Sequence, residues 1–234
     1  MKKGSRLLLK IFNLELLVKS LIYLAGICVM SFGIALTIQA GIGVAPWDVL
    51  HIGLYKQFGL TIGTWNIIVG IIILAASAVI VKKFPKPGAY FNLIFVGVFI
   101  DLFLFLLPFS PSFFITKIIV LIAGLIIMAT GMGMYISAGV GTGPRDSLMM
   151  ALHLKKGWKV QNVRLVMEIS VLVAGWLMGG PVHIGTVIAG LLTGHASGIS
   201  ISYFYKHTNR LINVIQKYEK KKEQMKGNKK EIVM

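Results

Sequence analysis

Apolar residues in this chain gather into long runs instead of alternating with a strand or surface-helix period. Six runs come close to the about 20 residues that a helix needs to cross a hydrocarbon core of about 30 Å. They cover roughly 20–40, 61–81, 89–108, 117–138, 162–179 and 184–205. Lys82, Lys83 and Lys86 close the second run, and Gly179-Gly180-Pro181 turn the chain between the last two. Two further apolar pieces, 46–58 and 144–156, are shorter. At 1.5 Å per residue each reaches only about 20 Å, too little to cross. The pattern predicts an all-α, polytopic membrane protein with six transmembrane helices and two short broken or re-entrant helices.

Both short pieces follow the same bend. Gly41-Ile42-Gly43-Val44-Ala45-Pro46-Trp47-Asp48 returns as Gly139-Val140-Gly141-Thr142-Gly143-Pro144-Arg145-Asp146, at a constant offset of 98. Gly41, Gly43, Gly139 and Gly141 allow a sharp change of direction. Pro46 and Pro144 suit the first helical position, where the missing N–H is no loss. The repeat extends outward to Ala25, Gly26, Met30, Gly33, Leu50, Leu54 and Gly59, each meeting the same residue type 98 positions later. Further on the offset slips to 97, and Gly88 and Gly97 meet Gly185 and Gly194. Each half then holds three spans and one short helix. An odd span count makes the second half enter from the opposite side, which is an inverted repeat. The organisation expected is a basic amphipathic segment over 1–19, one repeat half over 20–108, a second over 109–205, and a basic cytoplasmic tail over 206–234. That tail reads as a short interfacial helix with a disordered end.

Charge orients this arrangement. Lys and Arg number 24 against 8 Asp and Glu, a formal net charge of +16. These cations flank apolar spans instead of lining a folded face, so they point to anionic lipid and not to nucleic acid. Six crossings put residues 2–19, 82–86, 145–164 and 206–230 on the cytoplasmic side, whereas eight would move the Lys82–Lys86 cluster outside. Both termini are therefore expected in the cytoplasm. The single cysteine, Cys28, permits no disulfide within the chain.

Motifs for hydrolysis, redox work or phosphate binding are missing, and the five histidines lack metal-ligand spacing. No enzyme, cofactor or metal is expected. Ionisable residues within the membrane region carry more information, because each must face protein or water. Asp101 lies in the third span without a helical partner, and reads either as part of a relay or as a group reaching the outer interface. Glu168 follows Arg164 by one turn and reads as an i,i+4 ion pair. Asp48 and Asp146 are open to two readings. They either stabilise the first turn of a short helix, or belong with Trp47 and Arg145 to a shared site at which inward-pointing helix N-termini meet a solute. His51, one turn after Trp47, reads either as a further member of that site or, more simply, as a polar residue at the outer face. The glycine faces around Gly185, Gly190 and Gly194 read as close helix contacts.

The two bends, the Arg164…Glu168 helix, Gly175 before Trp176, and Gly179-Gly180-Pro181 leading into Gly185-Thr186-Val187 resemble the YczE/YyaS/YitT group of bacterial integral membrane proteins. The resemblance covers about 20–205 and is closer to the YczE-type branch, since the basic tail is too short for the soluble domain that some members carry. It implies a bacterial cell-membrane location and no particular activity. The architecture leads to a transporter or channel for an unidentified small solute or ion. A non-transporting scaffold or accessory protein is the alternative, and a polar cavity lined by the two bends separates the two.

Overall fold

The structure, a computed structural model, describes residues 2–231, with side chains at 14–218 and 221. Its elements are α1 (Lys2–Gln39), α2 (Pro46–Phe58), α3 (Ile62–Val81), α4 (Pro87–Leu106), α5 (Phe114–Ser137), α6 (Pro144–Lys156), α7 (Val160–Leu177) and α8 (Ile184–Glu231). Six of these are long and apolar enough to cross a membrane. The other two, α2 and α6, are the short pieces predicted from the sequence, each 13 residues long and each opened by proline. The outward faces of the spans carry large apolar side chains, with Phe105 82%, Leu177 77% and Val79 76% exposed. Such a surface is stable only against lipid.

At its two ends the chain departs from the expected organisation. The basic segment over 1–19 is continuous with the first span, since α1 runs unbroken from Lys2 to Gln39. Similarly α8 runs through Lys206 to Glu231, so the change of composition falls inside one helix. Residues just past Lys206 pack against the body: Thr208 and Ile212 are buried, and Ser137 and Thr208 share a hydrogen bond of 2.9 Å. Gln216 donates to Glu15 at 2.9 Å, which ties the two ends of the chain together on one side. Lysines past 221 fall outside the described side chains.

The bundle is centred on the crossing of α1 and α5, held by glycine. A Cβ added to Gly26 would lie 2.9 Å from the Gly131 carbonyl oxygen, and one on Gly131 would lie 2.5 Å from that of Gly26. Gly33 and Gly124 approach each other in the same way, at 2.6 and 2.9 Å. No side chain fits between these backbones. Adding 98 to one partner and subtracting it from the other turns the first contact, Gly26 with Gly131, into the second, Gly124 with Gly33. Around this crossing α4 packs on α1 and α8 on α5. The short helices cross between the halves, with α2 against α7 and α6 against α3.

One difference breaks this correspondence. Helices α3 and α4 pack along each other, but their counterparts α7 and α8 barely touch. A Cβ on Gly190 or Gly198 would meet nothing within 4 Å, and on Gly194 only Arg164 Nη2 at 3.9 Å. The expected glycine contact holds at Gly185, where a Cβ would lie 2.6 Å from the Ile42 carbonyl oxygen, but not along the rest of that face.

Candidate functional site

The site arises from how each bend directs its helix. After α1 the chain reverses at Gly41 (φ +67°), and after α5 at Gly139 (φ +69°), two matching positions in a conformation that favours glycine. The chain then returns into the bundle before α2 or α6 begins. The C-terminal ends of the short helices face outward: Lys56 donates to the Gly179 carbonyl at 2.9 Å and Gln57 to that of Met178 at 3.1 Å, at the end of α7. Their N-termini lie deep. Pro144 Cγ sits 3.3 Å from where a Cβ on Gly70 would be, midway along α3. The two helix starts converge, and the Arg145 guanidinium lies over the Trp47 ring, 4.4 Å from its centroid.

Between them is a cavity of ≈ 180 Å³, bounded by α1 to α8. Its lining follows the repeat. At offset 98 Met30 pairs with Met128, Ile34 with Met132, Ala45 with Gly143, Pro46 with Pro144, Trp47 with Arg145, Asp48 with Asp146, His51 with Met149, Asn66 with Arg164, Val69 with Met167 and Gly70 with Glu168. At offset 97 Asn92 pairs with Ala189, Leu93 with Gly190 and Val96 with Thr193. Only Ile73 and Tyr135 stand outside this pairing. Position is therefore shared between the halves, while chemistry is kept at some pairs, such as Asp48 and Asp146, and changed at others: histidine corresponds to methionine, and tryptophan to arginine. On the weakly packed α7 and α8, the lining residues Arg164 and Gly190 are exposed.

Of the residues singled out from sequence, Trp47, Asp48, His51, Arg145 and Asp146 all line this cavity. His51 is not at the outer face. It is 1% exposed, with Nδ1 3.8 Å from Asp48 Oδ1, because its place on α2 turns it inward beside the aspartate. Neither Asp48 Oδ1 nor His51 Nδ1 has a hydrogen-bond partner, and Asn92 Nδ2 is equally bare. Native structures leave few buried polar atoms in this state. Neither Ala45 nor Gly143, at the helix N-caps, supplies a side-chain cap.

Asp101 lies elsewhere. Its carboxylate accepts the Gly63 N–H at 2.8 Å and the Thr61 hydroxyl, closing the N-terminus of α3. The free N–H groups of that helix explain an acceptor there, so Asp101 does not join the cavity. Arg164 and Glu168 do form the expected pair, at 2.9 Å, and the pair stands in the cavity wall. Asn66, Asn92 and Thr193 went unnoticed in the sequence, though an amide within an apolar span was a usable signal. Ser147 donates to the Gly143 carbonyl, whereas His153 Nδ1 meets the Trp158 carbonyl oxygen, so the two do not form a nucleophile–base pair.

Comparison with known proteins places this arrangement in a family. Residues 17–202 match the profile of a family of unknown function, DUF6198. The chain is 45% identical over 181 residues to the uncharacterized membrane protein YczE of Bacillus subtilis (strain 168), covering 77% of this chain and 84% of that one. It is 30% identical over 178 residues to the uncharacterized protein YyaS of the same organism, covering 75% and 89%. An uncharacterized protein of Haemophilus influenzae is 29% identical over 171 residues, covering 71% and 76%. No solved structure matches the chain. By this match and its six apolar helices, the chain belongs to the DUF6198 family, as a YczE-like multi-pass membrane protein.

Proposed function

We propose that this protein is a transporter or channel for a small solute or ion in the bacterial cell membrane. It is built as an inverted repeat of three plus three spans, with both termini in the cytoplasm. The observation that carries the reading is the cavity lining, in which residues related by the repeat offset line one space that holds Asp48, His51, Asn92, Arg145 and Asp146 among apolar side chains. Paired half-helices whose N-termini meet at mid-membrane are the way such repeats build a central site. The exchanged glycine contacts of α1 and α5 supply the hinge about which the halves could rock. A scaffold protein has no need of a polar cavity at this depth, where bare polar groups are costly. The reading calls on no enzyme chemistry.

Access to the cavity from both sides tests it. Met149, half-buried in the wall, is replaced by cysteine in a Cys28→Ser background and treated with an impermeant thiol reagent in right-side-out and inverted vesicles. A transporter or open channel exposes the position to each side, so labelling is expected in both preparations. Labelling from one side only, or from neither, would return the protein to the scaffold reading.

A further inference from the structure

The cavity's polar groups divide into those with a partner and those without. Arg164 and Glu168 neutralise each other. Arg145 has the face of Trp47, and among the described residues no carboxylate pairs with it. Asp48 Oδ1, His51 Nδ1 and Asn92 Nδ2 are buried without a hydrogen bond, in residues 2%, 1% and 5% exposed. Two of these unfilled groups accept: the Asp48 carboxylate oxygen, and His51 Nδ1 in the tautomer protonated on Nε2. The other two, the Arg145 guanidinium and the Asn92 amide nitrogen, donate.

Charge balance narrows the occupant. Arg145 against Asp48 and Asp146 leaves one negative charge by formal count. The N-termini of α2 and α6, both ending in the cavity, contribute about half a positive charge each. The sum is close to zero. A ligand with net charge would leave an uncompensated ion among apolar spans, where desolvation penalises it. One with separated charges of both signs fills both kinds of group and disturbs the balance least. The volume of ≈ 180 Å³ sets the scale, against roughly 300–1,000 Å³ for pockets that take drug-sized molecules.

We propose that the cavity binds a small zwitterion, a solute bearing a protonated amine and a carboxylate, with the amine at Asp48 and His51 and the carboxylate at Arg145 and Asn92. The physiological use of this site rests on the transport reading above, but binding is measurable without flux. The probes are L-alanine, β-alanine, γ-aminobutyrate and L-leucine as zwitterions. Propanoate and propylammonium each carry one charge alone. The full-length protein in lipid nanodiscs is heated with each probe, since a ligand held only by the folded state raises the unfolding midpoint.

At least one zwitterion is expected to raise the midpoint, with both single-charge probes inactive at equal concentration. Asp48→Asn and Arg145→Gln should each weaken binding of that zwitterion by about tenfold or more, the worth of one hydrogen bond to a charged group. They should also part company: Asp48→Asn shifts preference towards propanoate, and Arg145→Gln towards propylammonium. A general loss of folding would not move them in opposite directions, and midpoints without ligand report folding separately. If no zwitterion acts on the wild-type protein, or if a single-charge probe acts as well, the proposal falls. A zwitterion that binds without crossing the membrane would keep this proposal and overturn the transport reading. Flux of a solute lacking either charge, with no zwitterion bound, would do the reverse.

Discussion

Two carboxylates, Asp48 buried and Asp101 only partly so, show what surroundings do to one residue type. Asp48 sits in the first turn of α2 with one oxygen unbonded, facing the cavity. Asp101, towards the C-terminal end of an apolar helix, receives the Gly63 N–H and the Thr61 hydroxyl at the start of a neighbouring helix. Its role is therefore to close α3, not to serve the cavity. Asp101→Ala should cost about 1–2 kcal/mol, the worth of an N-terminal capping acceptor. Thermal unfolding in detergent should show a lower midpoint, with zwitterion binding unchanged once the protein is folded. A variant that unfolds normally but loses binding would move Asp101 into the site. Sequence alone left Asp101 open because its acceptor role depends on Gly63, 38 positions away.

At the scale of elements, the glycines of the central crossing do a different job from those of α8. A Cβ on Gly131 would lie 2.2 Å from the Met30 amide nitrogen, while one on Gly198 would meet nothing within 4 Å. Backbone cannot yield as a side-chain end can, so Gly131→Leu should force α1 and α5 apart. Gly198→Leu should leave the fold intact. Size-exclusion profiles of the two variants decide this: collapse of the first beside a monodisperse second is expected, and equal behaviour would remove glycine packing as the basis of the crossing. Both glycines read alike in the sequence, as small residues in an apolar run. Only the absence of a neighbour along α7 separates them.

For the molecule as a whole, the orientation follows from where cations collect. The hydrogen bond of Tyr23 to the Gly88 carbonyl, 2.6 Å, and that of Gln216 to Glu15 put the lower part of α1, the start of α4 and the later part of α8 towards one end. Lys82, Lys83 and Lys86 belong to that end. At the other, Gln39 bonds with Leu107 and Phe109 beside the Ser110-Pro111-Ser112 loop. By the positive-inside rule, we propose that the first end faces the cytoplasm. Cysteines at Lys86 and Ser110, each in a Cys28→Ser background, should label from outside the cell at 110 and not at 86. The reverse pattern would invert the protein and exchange the sides from which its two bends are entered.

The sequence by itself determined the six spans, the two short helices and the bends that release them. Hydropathy over a span length and the backbone limits of glycine and proline are local properties, and no distant residue can cancel them. Repetition at offset 98 was legible for the same reason, as a comparison of the chain with itself. Tertiary structure alone decided what those elements enclose. His51 could be read as an outer-face residue until α2 was seen to start deep in the bundle and turn it towards Asp48. That the last span continues past Lys206 as one helix, instead of giving way to a separate interfacial one, rests on a buried Thr208 and Ile212 and not on local composition. That the paired positions line one cavity is likewise a matter of how α1 crosses α5. That crossing depends on backbones meeting at glycines a hundred residues apart, a distance over which local pattern carries no information.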